Sequence, residues 1–166
     1  MDGLNVDGAD KCFAFLKGHY DKKRKLFEGL GFPLSGAITY RDWEVFVAVL
    51  TRDRCKPGNG CDLERHEVKS AMVGGGFEYQ YHRKTWEEKL DGDLLVDHVF
   101  VSYGVHYNFV EVHRVLTADI RSRLEEWRDY VKDCYDVDNP KQRCRRSMSY
   151  SFVKGCGELI WASVSG

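Results

Sequence analysis

Apolar residues recur at helical spacing in three stretches of this chain. Across residues 10–30 they fall at Phe13, Leu16, Tyr20, Phe27 and Leu30, with lysines and arginines between them, and Gly31, Phe32 and Pro33 mark the end. Trp43, Phe46, Val47 and Leu50 follow at i, i+3, i+4 and i+7, the pattern of one buried helical face. Thr39, with Asp42 three residues on, resembles the start of that helix. Ile120, Leu124, Trp127 and Val131 predict a third buried stripe, capped by Thr117 and broken over 136–140. Stripes of this kind read as core rather than as binding surface.

Between these helices the period shortens to two. Phe77, Tyr79 and Tyr81 alternate with Glu78, Gln80 and His82, which predicts a strand with one polar face. It neighbours a β-rich segment over 61–71, across Gly74, Gly75 and Gly76; the preceding run 56–60 carries a strong turn signal. A short helix is expected over 85–90, followed by a turn at 91–93. Runs 98–103 and 107–116 predict a hairpin through Gly104, and segments 150–153 and 159–161 one more strand. The order α-α-β-β-(α)-β-β-α-β predicts an α/β (α+β) fold, a mixed sheet flanked by helices, in a single domain over 1–166.

Composition adds limits. At 166 residues, 43% hydrophobic and 31% charged, the chain is long enough to bury a core and lacks any run near the ~18 apolar residues of a membrane span. The acidic N-terminus has no apolar signal region, so a cytoplasmic protein without a membrane partner is expected. The six cysteines include no C-x-x-C pair and read as free thiols; Cys55 and Cys61 match no common zinc spacing. A net charge of −1 is uninformative, but its distribution is not. Lys22, Lys23, Arg24 and Lys25 form one basic cluster. Lys141, Arg143, Arg145, Arg146 and Lys154 form another, while acidic residues gather over 87–97. A DNA-binding face on a near-neutral protein has this pattern, and so do two solvated surface runs.

The chemistry concentrates at Asp62, Glu67 and Lys69. Residues two apart on a strand share a face, so Glu67 and Lys69 would point together into one site. A carboxylate there holds a hard divalent cation, and an ammonium beside it acts on a water or a phosphoryl oxygen. The plainer alternative is a surface ion pair on an edge strand, worth little. Val68 and Ala71 suggest burial instead, and a buried charge needs a partner or a metal. On an unbroken strand, Asp62 and Glu67 would have opposite parity and lie about 17 Å apart. Residues 63–66 must therefore turn or bulge; otherwise Asp53 replaces Asp62, with Glu64 a further alternative.

With Asp62 upstream, Ser70 after Lys69 and β-structure on both sides, these residues resemble the PD-(D/E)xK nuclease superfamily, of restriction-endonuclease-like fold, and within it the type II restriction endonucleases. The likeness runs over about residues 39–133, and the motif's usual Asp-Pro pair is absent, since Cys61 precedes Asp62. The resemblance implies Asp62 and Glu67 as Mg²⁺ ligands, with Mn²⁺ able to substitute. It also implies the Val68 carbonyl as a backbone ligand and Lys69 as the catalytic lysine. Glu78 and Gln80 would border the site, and His82, Arg83, Lys84, Arg143, Arg145 and Arg146 would contact DNA. The implied activity is cleavage of double-stranded DNA at a specific sequence, leaving 5′-phosphates, by the nuclease of a restriction–modification system. One site per subunit and two strands per duplex make a symmetric homodimer the expected form. A homing, repair or junction-resolving nuclease and a non-catalytic DNA-binding module are the alternatives. His98, His106 and His113 read as ordinary strand histidines.

Overall fold

The computed structural model describes residues 3–34, 38–58 and 61–164; the turn expected at 56–60 therefore lies in part outside the described residues. Helix α1 (Val6–Gly29) begins where the Asn5 side chain accepts the Gly8 amide at 3.2 Å. Its buried stripe holds at Ala9, Phe13 and Tyr20, whereas Leu26 and Leu30 are exposed, so the last turns of α1 stand off the core. Helix α2 (Tyr40–Thr51) starts with the expected reciprocal cap between Thr39 and Asp42 and buries Trp43, Phe46, Val47 and Leu50. Arg52, in the left-handed region at φ 53°, ends it.

Strands β1 (His66–Met72), β3 (Asp97–Tyr103), β4 (Phe109–Val115) and β6 (Glu158–Val164) form one sheet in the order β1-β3-β4-β6. β1 and β3 run parallel, with Glu67 opposite His98 and Lys69 opposite Phe100; the other pairs are antiparallel. Strand β2 (Gly76–His82) pairs with β5 (Arg143–Ser149) in a separate two-stranded ribbon, placing Gln80 opposite Arg145. The mixed α+β class is as expected, but β2 is laddered to β5 and not to β1. Residues 143–149 and 150–156 are the two elements absent from the expected order: strand β5, and a short helix α5 (Tyr150–Cys156) where a strand was expected. Helix α3 (Trp86–Asp93) also continues through 91–93, where a turn was expected.

Strand parity divides the core. Val68, Val99, Val101, Val110 and Val112 face α1 and α2, beside Phe13, Phe46 and Trp161. Phe100 and Val115 face the ribbon, whose Phe77, Tyr79 and Tyr81 are fully buried against Leu124 and Trp127 of helix α4 (Thr117–Tyr135). Truncating any of these aromatics to alanine costs about 3–5 kcal/mol. Thr117 does not cap α4 as expected: its amide and hydroxyl both donate to Asp97 Oδ1, at 2.9 and 3.0 Å. No helix among the described residues is long and apolar enough to cross a membrane.

Candidate active site

β1 begins at His66, and the stretch before it is irregular. The Leu63 amide donates back to the His66 carbonyl at 3.0 Å, and Leu63 bridges Cys55, so the chain doubles over before entering the strand. That fold removes the parity problem. The Asp62 amide donates to Glu67 Oε2 at 3.2 Å, and the Val68 amide donates to Asp62 Oδ2 at 3.1 Å. Each carboxylate is thus held by a backbone N–H beside the other.

Lys69 joins them. Its ammonium pairs with Glu67 Oε1, lies 3.8 Å from Asp62 Oδ2, donates to the Val68 carbonyl at 3.2 Å and sits 5.0 Å above the Tyr79 ring. Glu67 is fully buried. Burial alone would raise its carboxyl, but Lys69 and a second lysine outweigh that effect and hold it down at about 2. This second lysine, Lys89 of α3, lies 2.6 Å from Glu67 Oε1 and 2.5 Å from Asp93 Oδ1. Asp93 is also buried and accepts the Tyr81 hydroxyl at 3.3 Å. Burial and the nearby Glu67 charge push the Asp93 carboxyl up to about 7, because one ammonium serves two carboxylates. His98 Nε2 meets the Asp93 carbonyl at 2.8 Å and must donate, which leaves Nδ1 to accept the Tyr79 hydroxyl at 2.7 Å. Burial lowers this imidazole to about 4, so it is neutral.

Asp62, Glu67, Lys69 and Lys89 line a cleft of about 600 Å³, with Asp93 and His98 behind it. Glu44 of α2 reaches the same cleft, buried and paired with Arg41. Its carboxyl is raised first by burial and then by Asp62; Asp62 is raised by burial and then by Glu67. The opposite wall is the outer face of the ribbon. There Arg143 donates to Gln80 Oε1 at 2.9 Å, and Gln80 donates to Glu78 Oε1 at 2.6 Å. Arg145 lies 3.6 Å from Glu78 on the same face.

The expected residues therefore divide. Asp62, Glu67, Val68, Lys69, Glu78, Gln80 and Arg143 share one cleft. His82 is half-buried, its Nδ1 accepting the Lys84 amide at 3.4 Å, and Arg83 and Lys84 border a separate, smaller hollow with α3. Arg146, half-buried, lies on the other face of β5 from Arg143 and Arg145. Its position on β5 turns it inward, where its guanidinium lies 4.2 Å over the Tyr130 ring and 5.6 Å over Trp127. Asp53 is engaged elsewhere, 2.7 Å from His66 Nδ1 and bonded to the amides of Arg54 and Arg65. Glu64 is exposed. Glu44, Lys89 and Asp93 escaped the sequence reading. The i,i+4 spacing of Lys89 and Asp93, and an acid beside Trp43 on a helix with a buried face, were the available signals.

Carboxylate oxygens are the donors that a hard cation takes. Asp62, Glu44 and Glu67 line the cleft, and burial, then a neighbouring carboxylate, raises Asp62 and Glu44. Cys61, Glu67 and Asp93 also bring donor atoms within 4.8 Å of one another. That deeper group suits Mg²⁺ less well: Lys89 already bridges its two acids, and burial pushes the Cys61 thiol up to about 11. A scan against protein-family models and a search of curated proteins both find no match to this chain.

Proposed function

We propose that this chain is a divalent-metal-dependent endonuclease acting on double-stranded DNA, built on the PD-(D/E)xK pattern. The observation that carries the reading is the lacing of Asp62 to Glu67 through each other's neighbouring amides, with Lys69 reaching toward both carboxylates. Asp62, Glu67 and Glu44 would hold the cation, with Val68 O beside them. Bound there, Mg²⁺ or Mn²⁺ would acidify a water and polarise a phosphoryl oxygen. Lys69 stays cationic at neutral pH: burial disfavours its charge, but Glu67 more than compensates and raises it. A permanent ammonium is better suited to offset charge on the phosphate than to remove a proton from water. Gln80, Arg143 and Arg145 on the ribbon would position the sugar–phosphate backbone. Double-strand cleavage leaving 5′-phosphates, by a cytoplasmic homodimer serving a restriction–modification system, completes the proposal; its dimer and cellular role are analogies to the family.

The test is incubation with unmethylated plasmid and Mg²⁺. Discrete fragments ending in 5′-phosphates are expected, abolished by EDTA. Lys69→Ala should slow cleavage at least about a hundredfold while DNA binding persists. Plasmid left intact by the native protein overturns the reading. Cutting confined to mismatched or branched DNA would move it to a repair or junction-resolving enzyme of the same chemistry.

A further inference from the structure

Beside Arg143, but on the other face of β5, two thiols face each other. Cys134 lies in the last turn of α4 and Cys144 is the second residue of β5. Their sulfurs are 2.9 Å apart, within about 1 Å of bonding distance. The intervening Tyr135 pins both ends: its hydroxyl accepts the Cys144 amide at 2.8 Å and donates to the Tyr81 carbonyl. The thiols are thus held together by main-chain anchoring that does not depend on their oxidation state.

Both cysteines line a cavity of about 790 Å³, the size of a small-ligand site. Its lining includes Lys141, Arg143 and Arg145 and no carboxylate. Cys134 is half-buried and Cys144 buried, so a reagent in the cavity meets Cys134 first. Arg145 is shared with Glu78, so Lys141 and Arg143 are the cations that would draw an anionic tripeptide and repel a cationic reagent.

We propose that Cys134 and Cys144 are a reversible dithiol–disulfide site whose reagent is an anionic low-molecular-weight disulfide of the glutathione type. The Cys134 thiolate attacks one sulfur of the reagent, forming a mixed disulfide and releasing one thiolate. Cys144 then attacks the Cys134 sulfur, closing the protein disulfide and expelling the second thiolate. The two protein protons end on the two released thiols, and the reagent is reduced by the two electrons the cysteines lose. Burial, then the bond to Cys134, pushes the Cys144 thiol up to about 12, in keeping with the more accessible Cys134 attacking first. This site is independent of the nuclease reading.

Oxidation of the native protein by glutathione disulfide, followed by non-reducing peptide mapping, tests the site. The expected product is a Cys134–Cys144 cross-link with the loss of two hydrogens. Exposed Cys55, outside the cavity and flanked by Arg54 and Lys56, reports the reactivity of each reagent at an open basic site, so a preference beyond it belongs to the cavity. Relative to Cys55, Cys134 should favour glutathione disulfide over cationic cystamine by about tenfold at low salt, and the preference should shrink as salt rises. Cys144→Ala should stop at the mixed disulfide on Cys134. Absence of the cross-link overturns the site, and equal or greater reactivity toward cystamine overturns its selectivity for anions.

Discussion

His66 and Glu67 are neighbours on β1 and both are buried, yet they face opposite sides of the sheet, and the two sides handle charge differently. On the His66 side, Asp53 accepts the amides of Arg54 and Arg65 at 2.8 and 3.0 Å and pairs with His66 Nδ1 at 2.7 Å. Burial would raise this carboxyl, but His66 and the two amides outweigh it and lower it below the usual range. Both of its oxygens are satisfied. On the Glu67 side only Glu67 itself is held low, while burial raises Asp62, Glu44 and Asp93, helped by Glu67 at Asp62 and Asp93 and by Asp62 at Glu44. One site is closed. The other gathers perturbed carboxylates and two lysines at a cleft, which is where a functional role is expected.

The two acids can be set against each other. Asp53→Ala should cost about 3–5 kcal/mol by chemical denaturation, because it leaves buried His66 and two amides without an acceptor. The fraction that remains folded should still bind divalent metal. Asp62→Asn should change stability by less than about 1 kcal/mol, since the amide oxygen can still accept Val68 N–H while an under-compensated charge is removed. Equal losses in the two variants would erase the contrast.

His98, behind the site, gives the next largest effect. Its folded pKa of about 4 lies below the ordinary 6.5, so the unfolded chain binds more protons between these values. Its contribution is complete above the ordinary pKa and is lost as pH falls toward 4, up to about 3 kcal/mol in all. Asp93, raised to about 7, contributes with the opposite sign, its stabilisation being lost as pH rises toward 7, so global stability does not isolate His98. The imidazole must therefore be followed directly. Its NMR resonances should stay in the neutral form down to about pH 5, and titration near pH 6.5 would mean that the buried network is not formed.

The smallest effect belongs to the ribbon wall. Arg143→Ala should weaken DNA binding uniformly across sequences and reduce the salt slope by about one unit. Arg146→Ala should leave that slope unchanged and instead cost stability, through lost stacking on Tyr130 and Trp127.

Local pattern made much of this legible in the sequence. The Thr39–Asp42 cap, the α2 and α4 stripes and the alternation at 77–82 each depend on neighbours close in the chain. The convergence of Asp62 with Glu67 was legible only as a condition, because it requires a fold over 63–66 that spacing alone does not specify. Glu44, Lys89 and Asp93 arrive from helices, and their roles depend on contacts 18 or more residues from Asp62. Gly92 between two aspartates also resembled a turn and hid the last turn of α3. Strand β5 was masked by its own charge: Arg143, Arg145 and Arg146 read as a solvated run, although Cys144 and Met148 carry its buried face. The partner of β2 lies more than 60 residues away, beyond any local signal.

The carboxylates around Glu67 are proposed to form a divalent cation site. Calorimetric titration of the native protein with Mn²⁺ or Mg²⁺ tests this most directly, with Asp62→Asn as its partner. Saturable binding in the native protein, accompanied by about 2.7 kcal/mol of stabilisation at a hundredfold excess over Kd, is expected to vanish in Asp62→Asn. No binding by the native protein, or equal binding by the folded variant, would contradict the account.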